Sequence, residues 1–336
     1  MATYIYSASQ ISTQEPFNRT FFDNPVKCSQ RYCRCIEADY KQFVSPISAR
    51  RMGPLLKRAI ATTVKALEQS EITNPDAIIC GTGLGCIENT EKFLTAMIEN
   101  EETCLQPTFF INSTHNTVAS QIATHLKCNG YNNTFAHLGI SFESALMDAV
   151  MMFDLGMISN AVVGAHDEMT PTYNKLFEKV KYWDAPLGEC SVSFVIGKEN
   201  KDGSLCRLLD TDICYSTDIA FVCKRLLSFL ERNDMTVCDI NIVVSGRNGD
   251  SRFDSSYNEL LGQLFPDGVA ECQYKHIFGE SFTASSYGML LGSEIIQQQK
   301  VPESFVFGKK HAAKYDTVLC INSFKSKDWS FILLSK

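Results

Sequence analysis

The 336-residue chain has no run of 18 or more apolar residues, so no segment reads as a membrane-spanning helix. It also lacks an excess of positive charge: 31 Lys and Arg stand against 38 Asp and Glu, a net charge of −7. A protein built to hold a phosphate backbone carries the opposite sign, which argues against nucleic acid as its partner. The opening MATYIYSASQISTQ has neither the basic start nor the apolar stretch of a secretory leader, so a soluble, cytoplasmic protein is expected. There is no G-x-x-x-x-G-K-[ST] phosphate loop, no H-E-x-x-H helix and no G-x-S-x-G nucleophile elbow. The six histidines (His115, His125, His137, His166, His276 and His311) nowhere pair at ligand spacing on one helix face. Neither a metal nor a cofactor is expected.

What is present is an ordinary globular composition, 45% apolar and 21% charged, with length enough to bury about three quarters of the unfolded surface. Fourteen cysteines are scattered from Cys28 to Cys320, mostly inside apolar segments. Without a leader sequence they are expected to be reduced, small core residues. Cys28, Cys33 and Cys35 form the tightest group, and no second Cys/His pair follows at zinc-finger spacing.

Strand-like and helix-like patterns alternate along the chain. Met52, Leu55, Leu56, Ile60, Val64 and Leu67 recur every three or four residues and predict a helix over 48–67. Further helices are predicted over 88–99, 118–126, 142–155, 218–232, 253–264 and 284–299. Strands are predicted over 4–7, 77–80, 160–165, 240–245 and 271–274. Segments 191–197 and 204–210 are expected to pair as a hairpin, and so are 317–322 and 329–334. This alternation predicts α/β layers around a largely parallel sheet. Each half ends in a two-strand unit, which points to internal duplication, with halves at 1–198 and 199–336 in one compact unit. The turn Gly81-Thr-Gly83-Leu-Gly85 has G-x-G-x-G spacing rather than the dinucleotide G-x-G-x-x-G, and reads as a tight strand-to-helix connection.

The order of the motifs is more informative than any one of them. Arg50-Arg-Met52 is followed by ICGTGLG at 79–85, PTFFINSTHNTVASQIA at 107–123, SFESALMDAVMMFDLGMISNAVVGAHDE at 141–168 and GECSVSFVIG at 188–197. SGRNGD at 245–250, YKHIFGESFTAS at 274–285 and CINSF at 320–324 complete the set. Together they resemble the β-ketoacyl synthase family across nearly the whole chain. The resemblance implies a thiolase-like fold, in which two related βα halves form a five-layer αβαβα sandwich and the subunits pair about a two-fold axis.

That family condenses acyl chains with a cysteine that carries a thioester and two histidines that stabilise an enolate. By the resemblance, the nucleophile position falls on Gly139, and no cysteine lies between Cys128 and Cys190. The histidine positions fall on Asn248 and Glu280, and the supporting lysine on Lys275. Lys325-Ser-Lys-Asp328 replaces the family's terminal glycine-rich loop. Loss of one oxyanion donor alone costs about 2.7–4 kcal/mol of barrier, and an ionised Glu280 would repel developing negative charge.

The leading expectation is therefore a catalytically silent homologue. It would partner an active β-ketoacyl synthase, as chain-length factors do, or pair with itself. The SFESALMDA and NGD signatures look most like the synthase-like subunits of aryl polyene and flexirubin-type pigment clusters. A second reading is a remodelled acyltransferase or thioester hydrolase using His137 or Ser141 near Asn248, Lys275 and Glu280. Its counterpart is that Ser141 caps the following helix and that Lys275 and Glu280 neutralise each other. A third is a module binding acyl carrier protein through Arg50, Arg51, Lys57 and Arg58. Met147, Met151 and Met152, with Phe142 and Phe153, are either lining of an acyl channel or ordinary core.

Overall fold

The computed structural model describes residues 2–336. The first half supplies strands β1 (Thr3–Ile11), β2 (Ala77–Gly81), β3 (Tyr131–Phe135), β4 (Asn160–Asp167) and β5 (Cys190–Gly197). They lie in the order β1-β5-β4-β2-β3. The second half supplies β6 (Cys206–Tyr215), β7 (Ile242–Ser245), β8 (Ala270–Gln273), β9 (Thr317–Phe324) and β10 (Asp328–Ser335), in the order β6-β10-β9-β7-β8. The two arrangements are the same: the first strand of each half is antiparallel to the fifth, the fifth to the fourth, and the remaining pairs are parallel. The sheets join through a short antiparallel contact of β1 with β6.

Helices α1 (Pro54–Ser70) and α2 (Thr117–Leu126) cover the outer face of the first sheet, where Ile78, Cys80, Val162 and Val195 meet Leu55, Ala59, Ile60 and Ile122. Helix α3 (Ser141–Asp154) lies between the sheets. Helices α4 (Ile219–Glu231) and α5 (Ser251–Leu264) cover the outer face of the second sheet, on Val243, Leu319, Ile321 and Leu333. Helix α6 (Ser285–Gln298) shares the middle layer with α3. The side-chain alternation of β2 shows the layering directly: Ala77 and Ile79 face the middle layer, Ile78 and Cys80 the outer helices. This is the thiolase-like five-layer sandwich.

Local chemistry adjusts several predicted elements. The helix predicted over 48–67 breaks at Gly53, and α1 starts at Pro54, whose missing N–H costs nothing at a first helical position. The expected pairing of 191–197 with 204–210 does not form. The nine-residue β1 lies between them, antiparallel to both, and residues 198–205 cross from one half to the other. Strand β3 and helices Pro107–Ser113 and Pro171–Lys179 were not foreseen. With two asparagines and no apolar alternation, β3 gives little propensity signal. The expectation of uniformly reduced cysteines is also corrected: Cys28 and Cys33 form a disulfide, while the other twelve are free and most are buried. No described helix is long and apolar enough to cross a membrane.

Phe142 opens α3, is fully buried and packs on Phe194 of β5 at a ring-centroid distance of 5.6 Å. Phe142→Ala is expected to cost about 3–5 kcal/mol, read as a lowered urea midpoint with an unchanged m-value.

Candidate functional site

Gly139 sits in a single 3₁₀ turn, residues 138–140, between the end of β3 and the start of α3. The turn is tied down from both sides. The Ser141 hydroxyl accepts the His137 N–H at 2.8 Å and has the carbonyls of Leu138 and Thr82 at 2.7 and 2.9 Å as acceptors. It therefore fastens the preceding turn to the Gly81–Gly85 loop rather than capping α3, which begins at Ser141 itself. Ser141 is fully buried. His137 is exposed, and its Nδ1 meets the Ser144 hydroxyl at 2.9 Å. Neither fallback residue presents a free nucleophile beside Gly139.

The space a side chain at 139 would need is occupied. A Cβ built on Gly139 falls 2.5 Å from Cβ, Cγ and Cδ2 of Phe324, far inside contact distance. Phe324 belongs to an aromatic stack, with ring centroids 5.8 Å from Phe282, 6.2 Å from Trp183 and 6.4 Å from Tyr182. Phe282 presses in turn on Gly83, where a Cβ would lie 2.2 Å from its own. The Lys325 ammonium rests 3.2 Å from the Tyr182 ring centre, a cation–π contact. Burial, with Arg252 and Lys327 nearby, lowers the Lys325 pKa.

The structure brings Asn248, Lys275 and Glu280 together and connects them to Gly139. Lys275 Nζ donates to Glu280 Oε2 and to Asn322 Oδ1, each at 3.0 Å. Asn248 Nδ2 donates to the same Glu280 oxygen at 2.7 Å, and Asn322 Nδ2 donates to the Gly139 carbonyl at 3.2 Å. The ion pair is buried on both sides. One step further, Ser330 Oγ donates to Glu143 Oε1 at 2.6 Å, while Oε2 of this fully buried carboxyl has no partner. Burial pushes the Glu143 pKa up. Asn248, Lys275, Glu280 and Asn322 thus satisfy one another, while Glu143 Oε2 stays unpaired.

The glycine turn is similarly occupied from within. Asp167 Oδ1 accepts N–H bonds from Gly83 at 2.8 Å and Leu84 at 3.3 Å, and Thr283 donates to Oδ2 at 2.7 Å. These are donors that a bound phosphate would otherwise use.

Arg58, expected on a basic docking face, is instead buried. It is paired to Glu37 and, at 3.1 Å, to Glu189. In the proposed channel helix, Phe142, Met152 and Phe153 are core and Met151 is about half exposed, so that stripe belongs to packing.

Asn322, Phe324, Glu143 and Asp167 were not singled out from the sequence. Asn322 and Phe324 lie inside the CINSF motif, and Glu143 is one of two acidic residues, with Asp148, on the buried side of an apolar helix. Those were the available signals.

Removing one member of the buried pair leaves the other charge without its partner. Lys275→Met is expected to cost about 3–5 kcal/mol, and Lys275→Met with Glu280→Gln less than Lys275→Met alone, both read by denaturant melts. For Glu143, the folded pKa lies above the unfolded one. Its stabilising contribution is complete below the unfolded value, about 4.3, and is lost as pH rises through the folded value. Wild type should therefore lose stability relative to Glu143→Gln as pH rises above about 4.3, read from urea melts at each pH.

Solved structures share this architecture. The ishigamide ketosynthase/chain length factor matches over 100% of this chain and 99% of its own, with TM-score 0.86 and 12% identity. The type II polyketide acyl-carrier protein complex AntDE:AntF, in which the ketosynthase is bound to the hexaketide, matches over 99% of each chain, with TM-score 0.82 and 12% identity. The ketosynthase ApeO in complex with its chain length factor ApeC, from Xenorhabdus doucetiae, matches over 100% of this chain and 98% of its own, with TM-score 0.76 and 12% identity. At such identities these matches establish the fold. No curated protein matches the sequence. The family described as "Beta-ketoacyl synthase, N-terminal domain" matches residues 30–203, just over half of the chain, which therefore belongs to the β-ketoacyl synthase family.

Proposed function

We propose that this chain is a catalytically silent β-ketoacyl synthase homologue that acts by pairing with an active synthase subunit, as a chain length factor does. The observation that carries the reading is the Phe324 ring in the volume where a nucleophile at position 139 would project. The ion pair supports it: the Glu280 carboxylate holds Lys275 and Asn248, so neither is free to stabilise an enolate.

Pairing is supported by the flank of the first sheet. Strand β3 pairs with β2 alone and leaves its other edge open. The helices Ile87–Glu99 and Pro107–Ser113, which pack on each other, expose Leu94, Ile98, Phe110 and Ile111, and Leu138 is exposed in the turn that follows β3. Two of the solved relatives are named as a ketosynthase with its chain length factor. Acyl carrier protein is the expected further partner, since one relative is such a complex. Lys181, Arg252, Lys325 and Lys327 supply cations near the aromatic stack for its acidic surface.

Co-expression with an active synthase of an aryl polyene or flexirubin-type system should yield a stable heterodimer. Phe110→Asp should weaken it by about 2 kcal/mol or more, measured by sedimentation; failure to pair with any such synthase counts against the reading. The chain alone should take up no acyl group from a thioester, by intact mass. Gly139→Cys should remain unalkylated by iodoacetamide at position 139, while Gly139→Cys with Phe324→Ala should react there, by peptide mapping. Reaction in the single variant would show that the ring does not close the position.

A further inference from the structure

We propose that Cys28 and Cys33 form a reversible thiol-oxidation site whose state sets how firmly the aromatic stack closes over Gly139. Of the fourteen cysteines in the chain, these two form the disulfide. Both are half-buried rather than sequestered, within reach of an incoming thiolate. Cys35, two residues on, is fully buried and its thiol pKa is raised by desolvation, so it is a poor competitor for exchange.

The loop closed by the disulfide is wired to the site. Arg31 Nη2 donates to the Trp183 carbonyl at 2.7 Å, and the Arg31 carbonyl accepts the Leu187 N–H at 2.8 Å. Tyr32 and Cys33 pair in parallel with Leu187 and Gly188. The Gly188 N–H in turn donates to the Glu280 carbonyl at 2.9 Å, and the Glu280 N–H to that of Pro186 at 2.7 Å. Segment 183–188 thus lies between the disulfide loop and Glu280 and carries Trp183, whose ring contacts Phe282 and Phe324. Residues 24–31 form no helix or strand of their own; besides the covalent link, the loop is held by the Gln14 side chain, which bonds the Val26 N–H and carbonyl at 2.8 Å each, and by the Cys28 N–H on the His276 carbonyl at 3.2 Å.

In the exchange, a thiolate of a low-molecular-weight or protein dithiol attacks one sulfur of Cys28–Cys33. The S–S bond breaks, and two electrons and two protons pass to the cysteines as the reductant forms its own disulfide. The reverse reaction restores the clasp. With the clasp open, the loop that bonds Trp183 and Leu187 loses its covalent closure, and segment 183–188 is held on that side by hydrogen bonds alone.

The test uses the full chain, air-oxidised and dithiothreitol-reduced. Maleimide mapping should find Cys28 and Cys33 linked in the first state and both alkylated in the second. Hydrogen–deuterium exchange should then show a roughly tenfold rate increase at amides 187, 188 and 280 on reduction, with the strands β4 and β5 unchanged. Cys28→Ser with Cys33→Ser should reproduce the reduced pattern and no longer respond to dithiothreitol. A free thiol at Cys28 or Cys33 in the oxidised protein, pairing through Cys35, or exchange at these amides indifferent to reduction would each overturn the proposal.

Discussion

Gly139 and Phe324 share one volume, and the arrangement at this site follows from that division. With no Cβ at 139 the ring can press against the turn that begins α3; with the ring there, no other residue fits at 139. The ring is held where β9 ends. Lys325 and Ser326, which follow it, both take left-handed backbone angles, φ of +54°. Residues other than glycine pay about 1–3 kcal/mol each for such a conformation, so neighbouring contacts must hold it in place. The Lys325 ammonium on the Tyr182 ring and the Ser256–Ser326 hydroxyl contact at 2.8 Å provide such contacts. A loop of glycines would need no such support and would leave the ring freer to swing.

The same turn is where the two halves of the fold meet. Gly139 and Glu143 come from the first half, while Asn248, Lys275, Glu280, Asn322 and Ser330 come from the second. Burying an ammonium and a carboxylate costs several kcal/mol for each ion. Here the cost is offset by mutual attraction and by the two asparagine amides that complete the hydrogen bonding. A network satisfied in this way rigidifies the joint between the halves. Two of the three Lys275 ammonium protons are committed to the Glu280 carboxylate and the Asn322 amide, so the same atoms that fasten the halves together also occupy most of its donor capacity.

Much of this was legible in the order of the motifs. The resemblance points to Gly139, which stands in the helix-entry turn, and to Asn248, Lys275 and Glu280, which lie in one hydrogen-bonded cluster. What escaped was set by tertiary contact. Nothing in CINSF announces that Phe324 fills the space beside a glycine 185 positions earlier, since that requires knowing which strand lies across from which turn. Strand β1 was foreseen, but not its place between β5 and β6, because a hairpin between sequence neighbours is the simpler local inference and only the full sheet order excludes it. Arg58 reads as one cation in a basic run, yet helical periodicity turns it inward, where Glu189 meets it. The Cys28–Cys33 bond carries no sequence signal of its own, since a five-residue spacing does not tell a bridge from two free thiols and only the folded loop brings the sulfurs together.

The case for a pairing subunit rests on a separation of surfaces. The residues that differ from a condensing enzyme sit where turns follow the ends of strands, in the interior between the halves, whereas β3 lies on the flank and is joined to the rest through β2 alone. An open edge recruits a partner through backbone N–H and C=O groups, which any sequence supplies, so β3 can carry Asn132 and Asn133 and still pair. A monomer would be expected to blunt such an edge with charge or proline. Strand β3 has neither, and the helices Ile87–Glu99 and Pro107–Ser113 of the same half leave Ile98 and Phe110 80% and 57% exposed. On the proposed reading, residues that close the interior and residues that form the flank are separate sets, so a self-complementary surface can serve pairing without depending on the chemistry of the interior.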